Sequence, residues 1–248
     1  MKSIRSGCLR AVVFFLFLLA ATAMGQTKSD TPKIIEIVTE AIASQGTGGL
    51  ESVLIKLKSQ SNHGDLRWLG GTFVTGDANR AIAIFEHSNY ASLQQSHQAL
   101  HTAWESLPGG QRPVLQVSVY DFTPEQTYND GHVPWWEARA FGLYSVHLNT
   151  GGYDDYVEQQ HIAVEYLLKA KIKNEEWLGY TQHYGPQSPG YIYVTPLRST
   201  SDLDITEDRP QIFPAWVDRG RDAVLLKAVA SSSIDLVLVR PELSKGLK

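Results

Sequence analysis

The sequence of 248 residues predicts an α+β protein built from two tandem modules, each with the element order βαββαβ. The pentapeptide Trp-Leu-Gly-x-Thr occurs at 68–72 and again at 177–181, a spacing of 109 residues. Similarity then continues in the same order, because 81–85 (AIAIF) corresponds to 191–195 (YIYVT). A spacing this long indicates a duplicated domain, since solenoid repeats run at about 20–50 residues.

Both modules show the same succession of patterns. A strand ends at a Thr-Gly-Gly turn, a helix follows, two strands are joined by a Gly- or Pro-containing turn, and a second helix leads to a last strand. In the first module we predict strand 33–43, helix 50–58, strands 67–74 and 81–86, helix 91–107 and strand 114–122. In the second module we predict strand 139–149, helix 153–171, strands 176–184 and 191–197, helix 213–230 and strand 234–239.

This order is the ferredoxin-like unit, whose sheet carries helices on one face only. The other face needs a cover, and two modules in one chain can cover each other. The sequence therefore predicts two tandem ferredoxin-like modules that close into one intrachain barrel. A barrel closed within one chain would allow the protein to be a monomer.

The chain also carries signals for its boundaries. Three basic residues followed by the apolar run 11–23 predict a signal peptide over 1–25, so we expect a periplasmic or secreted protein. That run is shorter than the roughly 20 residues of a membrane span, and no second such run follows. Module 1 is then 26–123 and module 2 is 138–248. Residues 124–137 are predicted to be a linker whose paired tryptophans fix it to a module surface.

Composition excludes several classes of function. The single cysteine, Cys8, lies in the predicted signal peptide, so the mature chain has no thiol for catalysis, metal binding or a disulfide. Without the three bases of 1–25, 19 Lys and Arg remain against 26 Asp and Glu, a net charge of −7. No basic stripe indicates nucleic acid as a partner.

The two modules differ on one face of the predicted strand pair. Ile82 and Ile84 stay aliphatic in the second module, and we expect this shared face to pack on the helices. On the opposite face, predicted to line the barrel, small residues of the first module are replaced by tyrosines. The replaced pairs are Gly71 with Tyr180, Ala81 with Tyr191 and Ala83 with Tyr193.

Alternation along strand 139–149 adds Ser145 and His147 to the predicted inner face. The register of the following strand is ambiguous, so either Gln182 or His183 points inward. The tyrosines could fill a dry interface, or their hydroxyls could line a small-molecule pocket. The candidate ligand-binding residues are Ser145, Tyr180, Gln182, Tyr191 and Tyr193, and His147 is the candidate catalytic residue.

His97 and His101 have the i, i+4 spacing of metal ligands on a helix, with Glu105 one turn further. The apolar stripe of the same helix reaches the edge on which His97 lies, so a structural histidine beside a surface one explains the pattern without a metal. We expect no metal site.

Residues 176–185 and 190–204 of the second module resemble exported NIPSNAP-like proteins of the dimeric α+β barrel superfamily, which also includes antibiotic-biosynthesis-monooxygenase-like proteins. The resemblance implies the intrachain barrel but no particular activity, since the superfamily spans cofactor-free oxygenases, haem proteins and isomerases. No cofactor is expected. Haem stays open, because a histidine ligates iron in haem-binding branches, although no motif transfers that role here.

Three hypotheses follow for the function. The first is a protein that binds a small apolar or aromatic molecule between the two modules. The second is a cofactor-independent monooxygenase or isomerase in the same pocket, in which His147 accepts a proton and the tyrosines position the substrate. The third is a structural barrel without a ligand.

Overall fold

A computed structural model describes residues 31–40, 49–60, 66–75, 80–109, 112–129, 133–170, 176–185, 190–202 and 215–247. The predicted signal peptide and most of the turn signals lie outside these residues. From Thr31 onward the chain forms one compact unit. No described helix has both the length and the apolar character needed to cross a bilayer.

The described chain follows the predicted order of elements in both halves. The first half contains β1 (Ile34–Glu40), α1 (Gly49–Ser59), β2 (Arg67–Phe73), β3 (Ala81–His87), α2 (Tyr90–Glu105) and β4 (Leu115–Phe122). A short strand, β5 (Tyr128–Asn129), follows. The second half contains β6 (Ala140–Leu148), α3 (Tyr153–Ala170), β7 (Glu176–Tyr184), β8 (Gly190–Leu197), α4 (Ala215–Ala228) and β9 (Val229–Val239).

Eight of these strands form a closed barrel. Their order is β4-β1-β3-β2-β9-β6-β8-β7, and β7 pairs again with β4. The two halves meet at two antiparallel seams, where Gly71 of β2 lies opposite Val239 of β9 and Phe122 of β4 lies opposite Tyr180 of β7. The predicted α+β class and the closed barrel are thereby confirmed.

Strand β9 is longer than predicted. The segment 230–233, expected to precede the last strand, is part of it and pairs with β6, where His147 lies opposite Ser231. Its three serines are all exposed, so the segment has no alternation of apolar and polar residues to indicate a strand. Strand β9 therefore extends along nearly the whole length of β6.

Apolar side chains form three clusters. One contains residues from all eight barrel strands and from no α-helix, so it is the barrel interior. The second lies between α1, α2 and the outer side of β1 to β3, and the third lies between α3, α4 and the outer side of β6 and β8. Both faces of the sheet are thus buried over much of its area, as in other sheets covered on two sides.

The predicted faces of β3 and β8 are reversed in the structure. Ile82 and Ile84 lie inside the barrel, as do their counterparts Ile192 and Val194. Ala81 and Ala83 pack on the helices of the first half. The prediction was wrong because the compared positions 81–85 and 191–194 are all apolar or aromatic and both faces are buried, so alternation carries no signal for direction.

The paired tryptophans of the segment 124–137 have a different position from the predicted one. Trp135 and Trp136 are 2% and 4% exposed and belong to the interior cluster. The ring of Trp135 lies 5.1 Å from that of Phe141, between centroids. The Arg67 guanidinium lies 3.9 Å from the centroid of the Trp136 ring. These tryptophans are therefore part of the core of the barrel and do not simply rest on an outer surface.

The structure gives the repeated Trp-Leu-Gly segment a specific role in each half. Trp68 Nε1 donates to the carbonyl of Leu243 at 2.7 Å, and Trp177 Nε1 donates to the carbonyl of Gln126 at 3.1 Å. Leu243 ends the short 3-10 turn after β9, and Gln126 ends the one after β4. The turn that follows each half's last strand is therefore held by the tryptophan of the other half.

The glycine of each segment allows this close approach. A β-carbon at Gly70 would lie 2.6 Å from the Leu243 carbonyl oxygen, and one at Gly179 would lie 2.7 Å from that of Gln126. Gly70 N also donates to Ser244 Oγ at 2.9 Å, and Gly179 N donates to Thr127 Oγ1 at 2.9 Å. We call these two paired contacts the reciprocal clasp.

Candidate functional site

A cavity of about 220 Å³ lies at one end of the barrel interior. Seven of the eight barrel strands contribute side chains to its lining, so both halves of the chain form it. An engineered apolar cavity of about 150 Å³ holds a benzene molecule. The volume here is thus suited to a single ring with a few substituents.

The lining divides into an apolar and a polar part. Its apolar and aromatic side chains all belong to the interior cluster of the barrel and are Ile37, Phe73, Ile82, Tyr120, Leu143 and Ile192. Its polar side chains are Thr39, Arg80, Gln116, Ser118, Ser145, His147, Ser233 and Asp235. An apolar wall with several convergent polar groups is the usual composition of a small-molecule site.

The structure places the two β6 candidates at this cavity. Ser145 and His147 both line it, next to Ile192 and Gly190 of the paired strand β8. Gln182 is 7% exposed, and a β-carbon added at Gly190 would lie 2.7 Å from its Oε1 and 3.1 Å from His147 Nδ1. His183 points outward instead, with its Nδ1 3.3 Å from Asp121 Oδ2.

The three candidate tyrosines do not line the cavity. Tyr180 is in the interior cluster but away from the cavity lining, and its hydroxyl donates to the carbonyl of Pro32 at 3.2 Å. Tyr191 and Tyr193 lie on the helix side of β8, packed with Tyr156 of α3. The prediction that Tyr191 and Tyr193 line the barrel is therefore wrong, because Ile192 and Val194, which alternate with them, face inward.

A chain of hydrogen bonds links buried tyrosine hydroxyls beneath α3. Tyr156 donates its hydroxyl hydrogen to Tyr193 Oη at 3.0 Å, and Tyr193 donates to Gln126 Oε1 at 2.9 Å. Burial raises the pKa of Tyr156 and of Tyr193 above the ordinary value of 10.0. These tyrosines are therefore neutral and stabilise the packing of α3 on the barrel.

Sequence reasoning missed several polar residues of the cavity. Gln116 and Ser118 of β4 alternate with outward-facing positions, so the period-2 pattern of this strand contained a usable signal. Ser233 lay outside the predicted boundary of β9. Arg80 precedes β3 and Asp235 lies opposite Leu143 of β6, and neither stood out in the sequence.

The two candidate metal ligands of α2, His97 and His101, pair with different carboxylates. His97 Nε2 lies 2.8 Å from Glu36 Oε1, while His101 Nδ1 pairs on the surface with Glu105 Oε2 at 3.5 Å. Glu36 is fully buried and also contacts His87 Nε2 at 3.1 Å and accepts a hydrogen bond from Ser96 at 2.7 Å. Within the described ranges, no group of three or more His, Cys, Asp or Glu side chains is arranged to hold a metal ion.

Electrostatics agree with a structural role for this buried cluster. Burial would raise the pKa of Glu36, but its hydrogen bonds from His87, His97 and Ser96 together lower that pKa below 4.5. The hydrogen bond to Glu36 raises the pKa of His97 above 6.5. A charged carboxylate with these donors fixes α2 to β1.

Comparison with solved structures supports the fold assignment. An anthrone oxidase-like protein superposes with a TM-score of 0.53 at 8% identity, over 86% of this chain and 93% of its own. A proposed monooxygenase from Fusobacterium nucleatum subsp. nucleatum superposes with a TM-score of 0.53 at 9% identity, over 84% of this chain and 93% of its own. At these identities the likeness shows the dimeric α+β barrel fold alone.

Comparisons of sequence gave no match. No protein-family model matches the chain. No curated protein matches it either.

Proposed function

We propose that the protein binds a small, partly apolar ring compound in the cavity at the His147 end of the barrel. One observation carries the proposal: the barrel, whose interior is otherwise a packed apolar core, contains a cavity of about 220 Å³ with an apolar wall and polar groups from both halves. The apolar ring of the ligand would contact Ile82 and Ile192. Its polar substituents would meet the hydroxyl groups of Ser118 and Ser145 and the imidazole of His147.

A substitution that fills the cavity tests this proposal. In Ser145→Phe, the new ring and the ligand compete for the same volume, so we expect affinity to fall by about tenfold or more. Binding is measured by ligand-observed NMR on residues 26–248 with a panel of one- and two-ring phenols, aromatic acids and cyclic ketones.

A matched control is available on the neighbouring strand. Ser232 is exposed and lies opposite Val146, one position from the cavity residue Ser233. Ser232→Phe therefore adds the same ring on the outer side, and affinity should stay unchanged. Equal affinity of Ser145→Phe and the unmodified protein for every compound that binds would contradict the proposal.

A catalytic version of the same site is the second candidate, favoured by the position of His147 at the cavity. There the imidazole takes a proton from an acidic C–H or O–H group of the bound compound and leaves an anion. Return of the proton to another carbon completes an isomerisation, whereas reaction of the anion with O₂ begins an oxygenation. The fold likeness to an anthrone oxidase-like protein is compatible with this version.

His147→Gln separates binding from catalysis. We expect affinity for panel compounds to remain within about threefold, because the amide keeps a polar group at the cavity. Proton exchange at the ligand carbon, followed by NMR in D₂O, and O₂ uptake should both be lost. Equal exchange and O₂ uptake in the variant and the unmodified protein would remove the catalytic role of His147.

The small volume of the cavity disfavours haem as a ligand. Pockets for drug-sized ligands occupy about 300–1,000 Å³, and a tetrapyrrole is larger than such ligands. The cavity of about 220 Å³ is smaller than that range, so the residues around His147 do not fit a macrocycle. We therefore propose no role for haem in this protein, and we expect the absorbance spectrum of the purified protein to show no Soret band.

We also propose that the two halves are tandem ferredoxin-like modules of a NIPSNAP-like protein. This protein would be exported after removal of residues 1–25. The reciprocal clasp supports a duplication, because Trp68 and Trp177 bind the corresponding turns of the opposite halves. Export would bring the cavity into contact with small molecules outside the cytoplasm.

A further inference from the structure

The lining of the cavity is rich in hydrogen-bond donors. Its described residues include four Ser or Thr hydroxyl groups and the hydroxyl of Tyr120, together with Gln116, His147 and Arg80. Each of these side chains can donate a hydrogen bond. Burial raises the pKa of Tyr120, so its hydroxyl group keeps its hydrogen. Asp235 is the only described lining side chain that, when ionised, accepts hydrogen bonds and donates none.

Arg80 brings a permanent positive charge to this lining. Its backbone is held at the end of β2, because its carbonyl accepts a hydrogen bond from Phe73 N at 3.0 Å. Its guanidinium carbon lies 4.9 Å from the centroid of the Phe73 ring, which also lines the cavity. An aromatic face beneath a guanidinium orients its plane, and the N–H groups point outward along the edges of that plane. Arg80 is therefore a cation whose position is fixed before a ligand binds.

The excess of donors indicates the charge of the ligand. A cationic ligand would meet Arg80 and a wall of donors, with Asp235 as the only described side chain of opposite charge. An anionic ligand would find a cation and several donors for its oxygen atoms, and it would be opposed by Asp235 alone. The lining therefore favours a ligand whose polar end is an anion with several acceptor oxygens.

We propose that the ligand is a ring carboxylic acid, bound as the carboxylate, and that Arg80 is the residue that selects it. A guanidinium matches a carboxylate geometrically, because two parallel N–H groups can donate to its two oxygens. A cavity of about 150 Å³ holds benzene, so the 220 Å³ found here allows a single ring with a carboxylate attached. The inference rests on the proposed function and specifies the chemical class of its ligand.

Pairs of ring carboxylates and their uncharged amides test the role of Arg80. The probes are benzoate with benzamide and cyclohexanecarboxylate with its amide, measured by ligand-observed NMR on residues 26–248 at neutral pH. We expect each carboxylate to bind about tenfold more tightly than its amide, the effect of a hydrogen bond to a charged group. In Arg80→Met this preference should fall to about twofold or less. A purely structural loss would weaken both members of a pair equally.

Arg112→Met is the matched control. The Arg112 guanidinium also lies 4.9 Å from the centroid of an aromatic ring, that of Trp104, but Arg112 is exposed and outside the cavity lining. The control should leave all four affinities unchanged. Asp235→Asn removes the acidic group of the lining and should raise the preference for the carboxylate by about threefold. If Arg80→Met does not fold, Arg80→Gln replaces it with the same expected result.

The outcomes separate this inference from the proposed function. Equal affinity for carboxylate and amide in the unmodified protein would overturn the selection of a carboxylate and leave ligand binding in the cavity intact. An unchanged preference in the Arg80 variant would overturn the role of Arg80. Absence of binding by these probes and by every phenol and ketone of the panel would overturn the proposed function as well.

Discussion

Replacement of Trp135 by alanine is expected to lower the free energy of unfolding by about 3 to 5 kcal/mol, the usual effect of truncating a buried tryptophan. Trp135 is 2% exposed and packs in the barrel interior, with its ring 5.1 Å from that of Phe141. Its loss would leave a large cavity that the surrounding strands cannot close, because they are fixed by pairing around the barrel. Urea denaturation followed by circular dichroism measures the effect.

Two further variants sharpen this test. Trp135 Nε1 is buried and has no hydrogen-bond partner among the residues that the structure describes. Trp135→Phe keeps an aromatic ring and removes that donor, so its loss of stability should be clearly smaller than that of the alanine variant. Tyr184→Ala, at a side chain 65% exposed, should change stability by less than about 0.5 kcal/mol. A loss for Trp135→Ala as small as for Tyr184→Ala would show that the tryptophan is not in the core.

The reciprocal clasp predicts the second large effect. Gly70→Ala places a β-carbon 2.6 Å from both the β-carbon and the carbonyl oxygen of Leu243, a fully buried residue. Because a backbone atom is involved, the turn after β9 must move, and we expect a loss of about 1 to 3 kcal/mol in unfolding free energy. The hydrogen bond from Trp68 Nε1 to Leu243 should lengthen as well.

Gly142→Ala is the matched control for the clasp. Gly142 is also a strand glycine, but its added β-carbon would meet Thr195 Cβ at 3.7 Å, an ordinary contact. Its stability should stay the same or rise by about 0.4 to 1 kcal/mol, since alanine restricts the unfolded chain. Equal effects of the two alanine substitutions on unfolding would contradict the close approach of Leu243 to Gly70.

The sequence predicted the inner face of β6 because that strand mixes polar and apolar residues. Ser145 and His147 do face inward, as alternation indicated, together with Phe141 and Leu143 of the same strand. In β3 and β8 the same reasoning failed. Their residues are apolar on both sides, and the inward choice depends on the helices and strands that pack there, which a local pattern does not contain.

The two halves have Gly71 and Tyr180 at corresponding positions because different strands of the other half contact them. A β-carbon at Gly71 would lie 2.5 Å from the carbonyl oxygen of Leu238, so the crossing of β9 at this seam requires a glycine. At the other seam, Tyr180 extends into the barrel interior and its ring lies 5.4 Å from that of Phe122, between centroids. Sequence comparison of the two halves located the difference but could not identify the strands that impose it.

The central claim is that the cavity at the His147 end of the barrel holds a small molecule. Intermolecular nuclear Overhauser effects between the tightest-binding panel compound and labelled isoleucine methyl groups test it most directly. We predict contacts to Ile82 and Ile192, which line the cavity, and none to Ile234, which is 75% exposed on the outer face. Contacts to Ile234 without contacts to Ile82 and Ile192 would contradict the account.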